Sequence, residues 1–305
     1  MTDIWQLDPI AANDWQVVSS LEELPQGRVI QTRLLGQPIC VAKLGEEVAV
    51  WRDSLGFAAR PPVQPGEIPE RMPVLLRFGY VWTSLGRPNR DLFEMPETEE
   101  ADRRQVVTGC IRVHVAAPRA VENFLDMGHF PFIHTGYLGE EPYTEVKPYK
   151  VEITRSPIEI LATNCLFYQP KANTNATAGF EVEYVYRVPH PYCAILYKSS
   201  PEQPHRRDVI ALFCQPVEEE WMHAHVYMSL IDSVSTLANM RRFQQTIFGQ
   251  DRPILENQRP KRLPLDTRSE VPIRADAMSA AYRRWLRESG LRFGVLPVEQ
   301  AVGAA

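Results

Sequence analysis

The first 113 residues of this 305-residue chain contain no histidine, and all seven histidines lie from His114 onward. Long hydrophobic runs are also missing, since the longest, 192–197 and 209–214, reach six residues. A membrane-spanning helix needs about 20. The N-terminal residues 1–5 lack the basic and apolar regions of a secretory signal, which leads us to expect a cytoplasmic protein outside the membrane.

Excess charge of one sign is absent as well. The chain has 33 basic and 38 acidic side chains, a net charge of −5 and no basic stripe, which argues against binding to nucleic acid. The five cysteines are odd in number and widely scattered. Without an export signal, this pattern predicts buried free thiols in a reducing cytoplasm.

The N-terminal part of the chain has the pattern of β-structure. Short β-branched segments at 28–35, 38–43, 47–52 and 74–85 predict a small antiparallel β-module, interrupted by a proline-rich connector. We therefore divide the chain into residues 1–115, which hold this module, and residues 116–305.

The second part combines strands with long helices, which predicts an α+β fold. Strand patterns occupy 147–154, 158–167, 181–188, 192–199, 208–217 and 221–231. One helix is expected from a cap at Ser233 or Ser235 to about Gln258, and a second from Arg274 to Ser289, ending at Gly290. An antiparallel sheet gripped by a long helix predicts a helix-grip domain with a cavity between the two.

One segment of the second part carries the chemistry. Asn123, Asp126 and His129 are spaced by three, which predicts that they share one helix face. His134 would point roughly 140° away from His129 on an unbroken helix. Pro131 should break that helix, and the resulting kink can bring both imidazoles together. Two neutral imidazoles on a stiff apolar element suit a divalent metal, whereas two helix-end histidines bonded to backbone carbonyls are the plainer interpretation.

A metal site of this kind needs a third ligand. A site of two histidines and one carboxylate leaves positions open for oxygen and substrate on iron(II). Asp251 stands out because apolar residues flank it in the long helix, and Glu256 competes with it. His223 and His225 also alternate on a strand, but no third ligand lies near them in the sequence, so we interpret them as part of a solvated strand face.

The pattern Asn-x2-Asp-x2-His-x4-His at 123–134 resembles the iron-binding signature of the catalytic subunits of Rieske non-haem iron oxygenases. The Asp-x4-Glu segment at 251–256 resembles the part of that family that supplies a carboxylate. The resemblance implies that His129, His134 and Asp251 bind mononuclear Fe(II). It also implies that Asp126, with Asn123 beside it, links a neighbouring Rieske centre to the iron ligand His129.

Four stretches, 119–127, 129–135, 248–251 and 274–286, resemble methylxanthine N-demethylase components of this family that lack the Rieske cluster. The resemblance implies that the enzyme uses O2 to remove an N-methyl group from a substrate like 7-methylxanthine and releases formaldehyde. A non-catalytic scaffold subunit and a metal-free ligand-binding protein are the alternatives.

The N-terminal part departs from the wider family. A Rieske [2Fe–2S] centre needs two cysteines and two histidines. The first 113 residues offer Cys40 and Cys110 and no histidine, so we expect no cluster of the chain's own. Electrons should then come from a Rieske-containing partner that docks near Asp126, and the resemblance implies that this partner is an NAD(P)H-dependent reductase. A homotrimer is the family habit, and hetero-assembly with a related oxygenase or structural subunit is equally open.

The substrate pocket should be apolar with a few polar groups. We expect aromatic rings to flank a flat heterocycle and two amides to read its edges. The candidates are Phe243, Phe248, Tyr168 and Tyr137 for the rings, and Gln244 and Asn257 for the amides.

Overall fold

The computed structural model describes residues 8–53, 68, 70–171, 178–200 and 203–298. Most of the proline-rich connector, residues 54–67 and 69, lies outside this part of the chain. The helices that are described are too short or too polar to cross a membrane.

The N-terminal part forms two small antiparallel sheets, as the β-branched segments predict. One has the order β1-β6-β5 and the other β2-β3-β4. The elements are α1 (Pro9–Ala12), β1 (Gln16–Ser20), β2 (Val29–Leu34), β3 (Gln37–Leu44), β4 (Glu47–Arg52), β5 (Val74–Arg77) and β6 (Tyr80–Thr83).

A seven-stranded antiparallel sheet dominates the rest of the molecule, in the order β7-β13-β12-β11-β10-β9-β8. Its strands are β7 (Arg104–Val113), β8 (Lys150–Ile153), β9 (Ile160–Gln169), β10 (Phe180–His190), β11 (Cys193–Ser200), β12 (Gln203–Glu218) and β13 (Trp221–Leu230). β7 pairs with β13 although it precedes residue 116, and the division at 115/116 stays a prediction.

The helices agree with the predicted α+β class. They are α2 (Ala117–Leu125), α3 (Phe130–Ile133), α4 (Leu237–Asn257) and α5 (Ala277–Ser289), with 3₁₀ turns at Pro96–Glu99, Thr267–Ser269 and Arg274–Asp276 and a parallel pair β14 (Leu263–Pro264) and β15 (Val295–Leu296). α5 ends at Gly290, whose φ of 77° suits glycine, as predicted.

The predicted cap of α4 was wrong. Thr236 is the N-cap, and its side chain accepts a hydrogen bond from the Asn239 N–H. Ser233 and Ser235 lie in the preceding loop, where the Asp232 carboxylate accepts the N–H of Ser235 and holds the chain in a turn.

One face of the large sheet packs against the N-terminal module, and the other faces the cavity. The side chains of β12 illustrate both. Val209, Ala211 and Phe213 pack with Tyr80 and other aromatic residues of the N-terminal module. The alternate residues of β12 point to the opposite face, because side chains of a strand alternate. That opposite face forms one wall of a cavity, and α4 forms another.

Backbone hydrogen bonds join the N-terminal module to the end of β12. The Leu35 and Gly36 N–H groups at the β2–β3 turn donate to the carbonyls of Pro216 and Val217, at 2.7 and 2.8 Å. The Gln215 side-chain amide also donates to the Arg33 carbonyl at 2.8 Å. The β2–β3 hairpin therefore extends the hydrogen bonding of the large sheet.

Candidate metal centre

The link between α2 and α3 differs from the predicted helix. α2 ends at Leu125, and Asp126 has extended backbone angles, so Asn123, Asp126 and His129 do not share one helix face. The Asp126 carboxylate accepts the Gly128 N–H at 2.7 Å, a local turn that replaces the next helical bond. Pro131 does not make the break, because it lies in the first turn of α3, where proline is tolerated.

Three ligand atoms nevertheless converge. The Nε2 atoms of His129 and His134 are 3.2 Å apart, and each lies close to Oδ1 of Asp251, at 3.3 and 3.1 Å. Ligands held at right angles, ~2.1 Å from one ion, are separated by about 3 Å. The three spacings therefore fit adjacent corners of a metal's coordination shell, with the remaining corners open, as in a two-histidine, one-carboxylate site.

The neighbours of these groups leave the correct atoms available to a metal. Nδ1 of His129 lies 3.0 Å from the Asp126 carboxylate, and Nδ1 of His134 lies 2.9 Å from the Gln250 amide oxygen. Each acceptor holds an N–H at Nδ1, which leaves Nε2 to face the centre. Asn123 donates to Oδ1 of Asp251 at 3.0 Å and orients the third ligand.

The charges of the centre favour a cation. Burial opposes protonation of His129, but hydrogen bonds to Asp126 and Asp251 outweigh it and raise the pKa of His129 to about 9. Burial raises the pKa of Asp251, but hydrogen bonds to His129 and His134 outweigh it and lower that pKa to about 2. A proton therefore occupies the position that a metal ion would take, and metal binding must displace it.

Glu256, the competing carboxylate, is not part of this cluster. It accepts from the Arg252 side chain at 3.0 Å and from the His114 backbone N–H at 3.3 Å. The cluster of described residues contains Asp251 instead.

The three converging side chains lie at one end of a cavity of about 290 Å³. Apolar residues make up most of its wall. These are Phe124, Phe130, Leu138, Tyr184, Tyr186, Leu196, Ile210, Val226, Met228, Leu230, Ile231, Val234, Met240, Phe243, Ile247 and Phe248.

Some of the predicted pocket residues line the cavity and others do not. Phe243, Gln244 and Phe248 line the cavity. Tyr137 does not line it, but its ring packs against Phe243 at a centroid distance of 5.8 Å.

Two pocket candidates were placed wrongly. Tyr168 alternates with Phe167, which packs inward against Phe130, so Tyr168 points to the other side of β9 and packs on Tyr143 at 4.3 Å. Asn257 is exposed on the last turn of α4 and donates to the Pro253 carbonyl at 2.8 Å. Neither residue lines the cavity.

Sequence reasoning missed three polar residues near the centre. Gln250 was passed over although it precedes Asp251. Lys198 and Asp208 line the cavity and lie directly opposite each other on β11 and β12. Burial lowers the pKa of Lys198 to about 8 and raises the pKa of Asp208. A lysine at the end of the apolar run Cys193–Tyr197 was the available signal.

A second depression lies on the outer side of the centre, and Asp126 forms part of its wall. The Asp126 side chain is 30% exposed. Ion pairs between Arg283 and Glu122 (2.6 Å) and between Arg119 and Glu270 (2.7 Å) border the same depression. Asp126 therefore contacts His129 on one side and is open to a charged surface on the other.

Comparison with known proteins identifies the class. The family described as "Vanillate O-demethylase oxygenase C-terminal domain" matches residues 113–291. The chain belongs to this family of Rieske-type non-haem iron oxygenase components and is an oxidoreductase, and enzymes of this kind use iron and oxygen.

Individual proteins that resemble this chain include demethylases and a monooxygenase. The chain is 45% identical to a probable methylxanthine N7-demethylase, NdmC, of Pseudomonas sp. (strain TJI-51), over 92% of this chain and 95% of the relative. It has the fold of Pseudomonas putida CBB5 NdmA with caffeine, with a TM-score of 0.73, 20% identity and coverage of 96% and 98% of the two chains. Dicamba monooxygenase with non-heme iron and dicamba gives a TM-score of 0.64 at 15% identity, over 92% and 97%. These structures confirm the predicted fold.

Proposed function

We propose that this chain is the iron-binding oxygenase component of an N-demethylase that acts on a methylxanthine resembling 7-methylxanthine. The observation that carries the proposal is the convergence of His129, His134 and Asp251 at the end of an apolar cavity. The 45% identity to a probable methylxanthine N7-demethylase supports the choice of substrate.

In this proposal each residue of the centre has a defined task. His129, His134 and Asp251 hold Fe(II) through atoms that lie 3.1 to 3.3 Å apart. Asn123 and Gln250 fix the orientation of Asp251 and His134, and Asp126 fixes the ring of His129. Such supporting contacts commonly change metal affinity or activity by 10–100-fold when removed.

Bound iron would activate O2, so that one oxygen atom enters a C–H bond of the N-methyl group and the other, with two electrons and two protons, becomes water. The N-hydroxymethyl product then breaks its C–N bond, which yields formaldehyde and the demethylated N–H. The chain's own contribution is to bind the heterocycle with its methyl group toward the three ligands. The apolar wall excludes water from the reaction.

In this proposal, both apolar and polar side chains of the cavity bind the heterocycle. Phe243 and Phe248 supply flat surfaces, and Gln244 supplies an amide. The ammonium group of Lys198 can donate to a ring carbonyl, and Asp208 opposite it can accept a ring N–H. A purine dione presents both kinds of group, so it matches this combination.

The electrons are proposed to come from a separate partner. The histidine-free first 113 residues cannot supply the two histidine ligands of a Rieske cluster. We therefore infer that a Rieske-containing, NAD(P)H-dependent reductase docks over the outer depression beside Asp126. Asp126 and His129 then form the short route to the iron. We propose assembly in the cytoplasm as a homo- or hetero-oligomer, with a trimer among the forms expected.

Formaldehyde release from 7-methylxanthine tests the proposal. The full chain, loaded with Fe(II) without oxygen, is mixed with a Rieske-containing reductase, NADH, substrate and then O2. We expect one formaldehyde per substrate consumed, and none from the His134→Ala variant. The 1-methyl and 3-methyl isomers are the matched substrates and should react at least tenfold more slowly.

Two results would contradict this function. Activity that requires a second oxygenase subunit, although iron is bound, would identify a scaffold subunit. Tight binding of the heterocycle by an iron-free chain that never retains iron would identify a ligand-binding protein.

A further inference from the structure

A second cluster of metal-ligating side chains lies on the other face of the large sheet, away from the cavity. It consists of Cys110 on β7 and His223 and His225 on β13. One ligand atom of each residue lies within 4.8 Å of the others. The sequence interpretation of His223 and His225 as a pair without a third ligand was therefore wrong.

The strand register explains why the third ligand was missed. Cys110 pairs directly with His225 across the antiparallel β7–β13 ladder, although more than a hundred residues separate them in the chain. Residues opposite each other point to the same face, and residues two apart on one strand do so as well. All three side chains therefore share the face that packs toward the N-terminal module, where the Tyr80 ring contacts His225 at 5.5 Å.

A single amide determines which ring nitrogens carry protons. The amide oxygen Oε1 of Gln215 lies 3.2 Å from Nδ1 of His223 and 3.4 Å from Nε2 of His225. An amide oxygen only accepts hydrogen bonds, so both of these ring nitrogens carry a proton. The Gln215 NH2 group donates to Thr32 and to the Arg33 carbonyl, which fixes the amide orientation. The proton positions that satisfy Gln215 leave lone pairs on Nε2 of His223 and Nδ1 of His225.

The nitrogen left over on His225 has no internal partner. The residue is 1% exposed, and its buried Nδ1 makes no hydrogen bond within the described part of the chain. Buried polar atoms are nearly always paired, so an orphaned nitrogen on a histidine that clusters with a cysteine and a second histidine calls for an explanation. A metal ion satisfies a lone pair of this kind, and the oxygen acceptor behind each ring is the usual support of a metal-bound histidine.

We propose that Cys110, His223 and His225 form a second metal site, which binds Zn²⁺ through one thiolate and two neutral imidazoles. Sulfur and imidazole are the ligands zinc prefers, and three protein ligands leave the fourth position for water. The ligand atoms of a tetrahedral zinc site are roughly 3.5 Å apart. The ligand atoms of this cluster lie within 4.8 Å of one another, so they must move closer together when zinc binds. Cys110 is exposed, which gives its side chain room to move toward the two imidazoles.

The chemistry of the donor set also separates this site from the iron centre. The iron centre contains a carboxylate, whereas the second cluster contains a sulfur ligand, which favours zinc over oxygen-preferring cations such as Mg²⁺. Zinc must displace the proton of Cys110, since the thiolate is the ligand.

The test uses the full chain as a His129→Ala/His134→Ala variant, so that zinc cannot occupy the iron centre. After dialysis against Zn²⁺ and gel filtration, we expect about one zinc per chain. Cys110→Ser and His223→Gln should each lower the affinity for zinc at least tenfold. His205→Gln changes an exposed histidine elsewhere and should retain the zinc.

Alkylation of Cys110 gives a second readout that needs no substitution in the cluster. The other four cysteines are buried, so iodoacetamide should modify Cys110 first. We expect Zn²⁺ to slow this reaction at least tenfold and Mg²⁺ to leave it unchanged. The proposal is overturned if no zinc is retained, or if His223→Gln retains zinc and protects Cys110 as well as the unchanged cluster does.

Discussion

The two faces of the seven-stranded sheet serve different chemistry with similar parts. Each side of the sheet has a cluster that contains a histidine pair, and a side-chain oxygen lies within hydrogen-bond distance of one ring nitrogen of each of these four histidines. On the cavity face the third group is the carboxylate of Asp251, and on the other face it is the thiol of Cys110. The comparison shows that a histidine pair alone does not define a site, because the third group selects the metal.

The surroundings differ as much as the third ligand. The cavity-face histidines contact two carboxylates, which raise the pKa of His129 to about 9 against the effect of burial. Burial lowers the pKa of both His223 and His225, and Arg112 adds to the effect on His223. His129 is thus protonated without a metal, whereas burial disfavours protonation of His223 and His225.

Removal of one cavity-face ligand should have the largest effect. The variant His134→Ala leaves two ligands, so we expect iron affinity to fall at least 100-fold and formaldehyde formation to stop. Zinc binding on the other face should be unchanged. Metal analysis of the dialysed protein measures both, and equal loss of both metals would show that the two faces are not independent.

Acid should weaken iron binding strongly. Because His129 has a pKa of about 9, iron must displace a proton at all lower pH values. The apparent affinity should therefore fall about tenfold per pH unit below 9, or about 100-fold from pH 8 to pH 6. Isothermal titration in two buffers of different ionisation enthalpy would detect about one proton released per iron. Absence of proton release would contradict this account.

Asp126→Asn keeps the shape of the side chain but removes its charge. We expect iron to remain bound and turnover to fall by 10–100-fold, because His129 loses its carboxylate partner on the side of the proposed electron entry. KM for the methylxanthine should hardly change. Single-turnover kinetics with the reductase measure the effect, and normal turnover would exclude Asp126 from electron transfer.

Lys198→Met should act on substrate binding without touching the metal. The variant keeps an unbranched side chain, one heavy atom shorter, and removes the ammonium group from the cavity wall, so we expect KM to rise about tenfold. Iron content should be unchanged. The cavity-face variant Met228→Leu is a matched control, and an equal rise in KM there would indicate general repacking of the cavity.

The two glutamines should produce the most selective effects. Gln250→Ala removes the oxygen at His134, and Gln215→Ala removes the oxygen shared by His223 and His225. Each variant should lose about tenfold in affinity at its own centre and nothing at the other. Fe(II) titrations of both variants, and Zn²⁺ titrations of both in the His129→Ala/His134→Ala background, give the four values. A loss at both centres in either variant would contradict separate sites.

Local patterns predicted much of this architecture. Alternating segments indicated the antiparallel strands, and Gly290 marked the end of α5. The spacing of His129 and His134 indicated a pair, but the helix break was predicted at Pro131 because proline is the stronger local signal. The Asp126–Gly128 turn depends on a side-chain hydrogen bond that spacing does not reveal.

Local sequence patterns could not predict the contacts between segments that are distant in the chain. Cys110 meets His225 only through the β7–β13 register, and Lys198 meets Asp208 only through the β11–β12 register. Asn257 was misplaced because the side of α4 facing the cavity is set by packing against the sheet. Sequence alone describes each strand, whereas the pairing of strands decides which polar groups become neighbours.

The turn that joins β2 to β3 has a consequence for the stability of the large sheet. Its backbone N–H groups complete hydrogen bonds of Pro216 and Val217, at the end of the strand that also carries Asp208. Deletion of the N-terminal module would expose these carbonyls and the aromatic layer beneath them. The module is therefore a structural part of the large sheet, and the chain could not lose it without exposing the sheet that forms one wall of the cavity.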